Sequence, residues 1–247
     1  MPLLGVVPAR LGSTRLPQKP LQLLAGVPLV VRVLQRAQEL GIVDRLVVAT
    51  DAASVADVVR REGGEAVLTH DRHLTGTERV AEVVARPEFA RYDLVANIQG
   101  DEPFMPREAL ERSVARVEGG DDVGTAAAPL ELALVEDPAR VKVVTDLAGR
   151  ALYFSRSVIP HRREPDDPAE GLYWQHLGIY VYTRAALQRW VALPPTDAEQ
   201  AERLEQLRAL QNGMTIGVGR LSEPALPGID TPEDLRRAED YWLAHQR

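Results

Sequence analysis

Residues 3–20, LLGVVPARLGSTRLPQKP, decide the reading of the fold. Leu3, Leu4, Val6 and Val7 form an apolar, partly β-branched run with the length of a buried strand, and it stops at Pro8. A polar loop follows, holding Arg10, Ser13, Thr14, Arg15 and Lys19 with Gly12 and two further prolines, Pro17 and Pro20. In open α/β sheets, ligands bind beyond the carboxyl ends of the strands. A cationic loop after a first strand therefore reads either as solvated surface or as the seat of an anion. Lysine usage favours the anion: only Lys19 and Lys142 are lysines among 29 basic residues. A compact ammonium binds phosphate as a point charge, whereas arginine offers a planar fork.

Outward from this stretch, strand and helix patterns alternate. Pro28 opens a helix whose apolar stripe of Leu29, Val30, Val33, Leu34, Ala37 and Leu40 ends at Gly41. RLVVAT (45–50) is a buried strand; Asp51 or Ser54 is the expected cap of a helix carrying Val55, Val58 and Val59, which breaks at Gly63-Gly64. EAVLT (65–69) is another strand. This order predicts a parallel sheet with right-handed crossovers. His70 and His73 have an H-x-x-H spacing, but no helix aligns them, so the pattern argues little for a metal. Thr75-Gly76-Thr77 then feeds a helix marked by Val80, Val83 and Val84, a place where backbone N–H groups meet a ligand.

DLVANI (93–98) is a strand that ends in Gln99-Gly100-Asp101-Glu102-Pro103. Carboxylates at a strand tip, beside a glycine, suit a divalent cation bound to phosphate oxygens, and Mg2+ takes only one or two protein carboxylates. The alternative is that Asp101 or Glu102 caps the helix expected at 107–117. VGTAAAP (123–129) continues the sheet, after which 130–190 reads as an antiparallel excursion with a hairpin turn at 146–149. Arg156 and His176 lie on its predicted strands, as site residues or as polar residues at a sheet edge. Helices are expected at 184–191 and 199–211, and MTIGVGR (214–220) is a last strand. Thr231 and Pro232 begin a C-terminal helix, Thr231 as its N-cap; Asp230, just outside, has no capping duty and is a candidate second metal carboxylate.

Composition sets bounds. The 247 residues, 45% hydrophobic, suit one α/β domain spanning 1–247. No apolar run is long enough for a membrane span, the N-terminus lacks the parts of a signal peptide, and cysteine is absent, which makes the cytoplasm the default. A net charge of −7 with scattered basic residues argues against a nucleic-acid surface. The first strand is not followed by G-x-G-x-x-G, and neither G-x-x-x-x-G-K-[ST] nor G-x-S-x-G occurs, which disfavours dinucleotide oxidoreductases, P-loop proteins and α/β-hydrolases. What remains is a magnesium nucleotide clamped between the cationic loop and two acidic turns.

PARLGSTRLPQKPL (8–21), HLTGTERVAEVV (73–84), NIQGDEP (97–103), VKVVTD (141–146), ALYFSRSVIP (151–160), HLGIYVY (176–182), LEQLR (204–208) and GIDTPEDL (228–235) together resemble the 3-deoxy-manno-octulosonate cytidylyltransferases, or CMP-KDO synthetases. The resemblance implies a Rossmann-like, mostly parallel sheet flanked by helices, of the nucleotide-diphospho-sugar transferase type. The antiparallel excursion would carry the sugar pocket and homodimer contacts. It implies transfer of CMP from CTP to the anomeric hydroxyl of the acidic sugar KDO, with release of pyrophosphate, for lipopolysaccharide synthesis. Pro8, Ala9, Arg10, Ser13, Lys19, Thr75, Gly76, Thr77, Arg79 and Gln99 would bind the nucleotide. Arg15, Gln99, Arg156, His176, Glu205 and Gln206 would bind the sugar. Asp101 and Asp230 would hold Mg2+, and these two with Lys19 would form the catalytic set. Gln18 stands where the family motif has glycine, Thr75 where it usually has serine, and Val181 where it usually has glycine. The rival readings are a cytidylyltransferase for another 2-keto sugar acid, such as a sialic acid or an amino analogue of KDO, and a non-catalytic nucleotide-binding protein of the same fold.

Overall fold

The computed structural model describes residues 1–164, 166 and 168–245. The chain divides into two compact units, Met1–Met105 together with the chain from Leu226 onward, and Pro106–Ala225.

In the first unit the expected alternation is present. Strands β1 (Leu3–Pro8), β4 (Arg45–Thr50), β5 (Glu65–Leu68) and β6 (Leu94–Asn97) run parallel in the order β6-β1-β4-β5, while β2 (Leu23–Leu24) and β3 (Val27–Pro28) form a small antiparallel ribbon. The side chains of β1 up to Val7 are buried, as a parallel strand covered on both faces requires. Helix α1 (Leu29–Leu40) buries the apolar stripe read from the sequence and ends at Gly41, whose φ of 64° is the left-handed conformation that glycine adopts without steric cost. Helices α2 (Ala53–Arg61) and α3 (Gly76–Val84) complete the crossovers. The N-cap of α2 is Ala52, with no side-chain cap, so neither Asp51 nor Ser54 has the capping role expected of them.

The opening loop is not merely a connector. Leu16, 4% exposed, packs in a cluster with Leu24, Leu29, Ile229 and Ala238. This apolar anchor pins the loop beside the turn that precedes the C-terminal helix Pro232–His245. Thr231 caps that helix as expected: the Asp234 N–H donates to Thr231 Oγ1 at 3.1 Å, and the Thr231 N–H donates to Asp234 Oδ2 at 2.9 Å.

In the second unit, β7 (Val123–Pro129), β8 (Lys142–Thr145), β9 (Ala151–Ser155), β10 (Trp174–Thr183) and β11 (Ile216–Arg220) form a mixed set. β11 runs parallel to β7, whereas the pairs β7–β10, β10–β8 and β8–β9 are antiparallel, which is the predicted excursion. Its hairpin turns at Asp146–Gly149, where the Gly149 N–H donates to the Asp146 carbonyl at 3.1 Å. Helix α4 (Arg107–Glu118) has Pro106 as its N-cap and no side-chain cap, so Asp101 and Glu102 do not cap it. After α5 (Arg184–Ala192), the single helix expected over 199–211 is two short ones, α6 (Asp197–Glu202) and α7 (Gln206–Gln211). The break falls at Arg203, whose φ of 54° leaves the right-handed helix, and a buried Glu199–Arg208 pair, 2.6 Å at its shortest, ties the two pieces together.

Candidate active site

The ends of β1 and β6 and the start of α3 meet at Pro8. A Cβ placed on Gly100 would stand 2.8 Å from the Pro8 carbonyl oxygen, so the close approach there needs glycine, and one on Gly76 would crowd the Pro8 ring at 3.2 Å. In front of this junction lies a cavity of about 320 Å³. Pro8, Ala9, Arg10, Ser13, Arg15 and Lys19 of the opening loop line it. So do Thr75, Gly76, Arg79, Gln99, Asp101 and Asp230. Thr77, 2% exposed, is buried beside them and is not part of the lining.

Four charged groups organise the cavity. Lys19 Nζ donates to Asp101 Oδ2 at 2.5 Å and to Asp230 Oδ1 at 2.9 Å, bridging residues far apart in sequence. Arg15 Nη2 lies 3.1 Å from Asp230 Oδ2. Burial pulls the Lys19 ammonium down, but the negative charges of Asp101 and Asp230 and its hydrogen bonds to both outweigh it, and its pKa is raised above the ordinary 10.5. The ammonium therefore stays charged at neutral pH, and its ion pairs are lost only as pH rises beyond that raised value.

The cavity's rim is held by local structure. Thr75 is the N-cap of α3, its Oγ1 accepting from the Glu78 N–H at 3.2 Å, while the Leu74 N–H donates to Glu78 Oε2 at 2.8 Å. His73 Nε2 lies 2.5 Å from Glu82 Oε2, which also accepts from the His70 N–H at 2.9 Å. The two histidines thus share a loop-to-helix anchor, and among the described residues no group of three or more His, Asp or Glu is placed to hold a metal. Gln18, at φ 52°, is left-handed just before the turn that carries Lys19.

The other predicted sugar-binding residues are in the second unit. The Arg156 guanidinium donates to the Glu202 carbonyl at 2.7 Å and to the Pro138 carbonyl at 2.9 Å, while its backbone N–H donates to Glu202 Oε2 at 2.9 Å. Lys142, fully buried, donates from Nζ to the Arg156 carbonyl at 2.5 Å and so supports the same segment. Glu205 is the half-buried N-cap of α7, and Gln206 is buried in its first turn. His176 is buried against the edges of Phe154 and Tyr180, with Nε2 2.9 Å from Thr125 Oγ1.

Burial in these apolar surroundings pushes His176 down to about 3 from the ordinary 6.5. Its neutral form fits the fold. Stability from this group is complete above the unfolded value and is lost as pH falls from 6.5 towards 3, because the unfolded chain then takes a proton that the folded chain refuses. The His176→Gln variant should lose less stability between neutral pH and about pH 5, the difference amounting to about 2 kcal/mol in urea unfolding. Equal pH slopes for the two proteins would contradict a buried neutral imidazole.

Comparison with known proteins fixes the family. The family model described as "Cytidylyltransferase" matches residues 4–216. A 3-deoxy-manno-octulosonate cytidylyltransferase from Gemmatimonas aurantiaca is 51% identical over 98% of this chain and 95% of its own length. The protein of the same description from Anaeromyxobacter sp. strain Fw109-5 is 48% identical over 98% of this chain and 97% of its own. The chain belongs to the 3-deoxy-manno-octulosonate cytidylyltransferase family. A solved structure of a CMP:2-keto-3-deoxy-manno-octonic acid synthetase complexed with CTP superposes with a TM-score of 0.90 at 36% identity, covering 99% of both chains. The mostly parallel α/β fold with an antiparallel excursion is thus the fold of this cytidylyltransferase family, as the sequence motifs implied.

Family membership makes a metal relevant, and the donor set can be judged on geometry. Asp101 and Asp230 both reach Lys19 Nζ within 2.9 Å, so the two carboxylates lie close together and offer hard oxygen donors to the same cavity. Two carboxylates with the remaining positions left to phosphate oxygens and water is the provision that Mg2+ takes. The residues fit the ion.

One residue escaped the sequence reading. Asp51, expected as a helix cap, accepts instead from the Leu11 N–H of the opening loop at 3.2 Å and from Arg79 Nη2 at 3.0 Å. Its signal was its place, directly after the carboxyl end of a parallel strand, where α/β sheets gather ligand residues.

Proposed function

We propose that the chain is a nucleotidyltransferase that moves CMP from CTP to the anomeric hydroxyl of KDO and releases pyrophosphate. The observation that carries this reading is the Lys19 ammonium held between Asp101 and Asp230 in a cavity whose wall also presents Arg10 and Arg15. Both substrates are anions, and aligning them requires positive charge that is already positioned. Near-full-length similarity to proteins described as 3-deoxy-manno-octulosonate cytidylyltransferases supports the choice of sugar.

In this reading Arg10, Ser13 and Lys19 hold the triphosphate, and Thr75, Gly76 and the α3 N-terminus, with Pro8, Ala9 and Gln99, face the nucleoside. Arg79 lies in that wall and Thr77 supports it from the buried side. Arg15 and Gln99 serve the sugar acid, and the family resemblance assigns Arg156, His176, Glu205 and Gln206 of the second unit to the same substrate. Asp101 and Asp230 would hold Mg2+, which when bound neutralises phosphate charge and polarises the phosphoryl oxygens. When the triphosphate arrives, Lys19 exchanges a carboxylate for phosphate oxygens and offsets the charge that develops as pyrophosphate leaves. A neutral His176 offers the sugar a hydrogen bond without adding charge.

The same reading takes the protein as a homodimer. Strand β9 pairs only with β8 among the described residues and exposes Leu152 and Tyr153, an apolar edge suited to a second copy. No helix among the described residues is long and apolar enough to cross a membrane, and a cytoplasmic enzyme is the proposal.

The test is pyrophosphate release with CTP and Mg2+ against a panel of sugar acids. KDO should support turnover at least about tenfold better than a sialic acid or an amino analogue of KDO, because a site built to hydrogen-bond one hydroxyl set rejects a sugar that lacks it. Preference for either analogue would reassign the substrate.

A further inference from the structure

The Asp51–Arg79 pair has no place in the capping or phosphate-binding roles so far described, and its geometry is specific. Arg79 is only 2% exposed, and both terminal nitrogens of its guanidinium are engaged. Nη2 donates to Asp51 Oδ2 at 3.0 Å, and Nη1 donates to Thr69 Oγ1 at 2.5 Å and to the His70 carbonyl at 3.2 Å. The other carboxylate oxygen of Asp51 accepts the Leu11 N–H at 3.2 Å. One buried ion pair thus joins four segments: the end of β4, the end of β5, helix α3 and the first turn of the opening loop.

We infer that Asp51 and Arg79 are positioning residues for the nucleotide, acting together to fix the opening loop so that Arg10, Ser13 and Lys19 meet the triphosphate. This deepens the reading of the loop as the CTP phosphate site and rests on it. Arg79, part of the cavity wall, then serves nucleotide binding through Asp51 and Leu11. Beyond Leu11 the loop is held by Leu16, packed in the core five residues on, and by the ion pairs that Arg15 and Lys19 make with Asp230 and Asp101. Between Leu11 and Arg15 lie Gly12, Ser13 and Thr14, none of which is buried, so releasing Leu11 loosens the part of the loop that carries Arg10 and Ser13. An arginine is required because only its planar fork reaches a carboxylate, a hydroxyl and a carbonyl at once.

A buried guanidinium without its carboxylate is strongly disfavoured, and so is the reverse. Each residue therefore depends on the other, and their effects on the loop should be those of one unit.

The test compares steady-state kinetics of Asp51→Asn, Arg79→Lys and the double variant in the full-length protein, varying CTP and KDO separately. Asparagine can serve Leu11 or Arg79 but turns an N–H donor towards the other contact. The KM for CTP should rise about tenfold, as the loss of a charge-assisted hydrogen bond predicts, while the KM for KDO changes less than about twofold. The double variant should be no worse than the worse single variant. Calorimetric titration of CTP with Mg2+ into Asp51→Asn gives the second reading, a weakened CTP affinity at a temperature where circular dichroism shows the fold intact. Wild-type affinity for CTP in a folded Asp51→Asn protein would overturn the inference, as would equal losses for CTP and KDO. A wild-type protein that does not use CTP would instead sink the functional reading on which the inference rests.

Discussion

Asp101→Asn should leave a folded protein with turnover reduced by two to three orders of magnitude, roughly the cost of removing one preorganised charge-stabilising group from a transition state. The side chain sits at the tip of β6, where Gly100 lets the backbone lie against Pro8, and its oxygen accepts from Lys19 at 2.5 Å. It caps no helix and fills no core, so asparagine, equal in size, costs the fold little. What asparagine lacks is the negative charge, and with it half of the two-carboxylate provision proposed for Mg2+. The signature is a loss in kcat that added Mg2+ restores only in part, measured by pyrophosphate release beside an unchanged thermal unfolding curve. Activity within about threefold of wild type would remove Asp101 from the reaction.

Lys19→Met should be nearly as damaging, by about two orders of magnitude or more in kcat/KM for CTP. Methionine keeps the length and the apolar stem but leaves Asp101 and Asp230 facing each other without the cation that now joins them. The two carboxylates then repel each other where the ammonium now joins them, and the triphosphate loses a positioned positive charge. Lys19→Arg should not rescue it, because a planar guanidinium cannot replace a compact ammonium between two carboxylates and a phosphate. Rescue by arginine to wild-type kcat/KM would show that charge alone, without position, suffices.

How much of this was legible follows from the range of each interaction. The stripe of α1 and its stop at Gly41 are local and periodic, and the sequence shows them directly. Asp230 could be singled out because Thr231 and Asp234 already satisfy the helix start, leaving its carboxylate unexplained; its partner Lys19, 211 residues away, could not be read. Asp51 was misassigned for the same reason in reverse. A carboxylate just before a helix looks like a cap, and nothing local reveals that Arg79 and Leu11 claim it.

Hydrophobic spacing is equally blind to a single left-handed residue. It ran one helix through Arg203, where the backbone turns and two helices result. At Gln18 the signal came only from the family motif, which has glycine there. The φ of 52° gives the reason: the turn into Lys19 needs a conformation that glycine takes freely and glutamine takes at a cost of order 1 kcal/mol. The loop keeps its shape because Leu16 packs into the core on one side and Asp51 holds Leu11 on the other.

The central claim is that the opening loop, Asp101 and Asp230 form a site for the triphosphate of CTP. The most direct measurement is pyrophosphate release from each of the four nucleoside triphosphates, with KDO and Mg2+ present, by wild type and by Asp101→Asn. The account predicts release from CTP at a rate at least about a hundredfold above that of the purine triphosphates, with one pyrophosphate per sugar consumed, and near-total loss in the variant. Equal use of all four nucleotides, or CTP turnover that survives in Asp101→Asn, would contradict it.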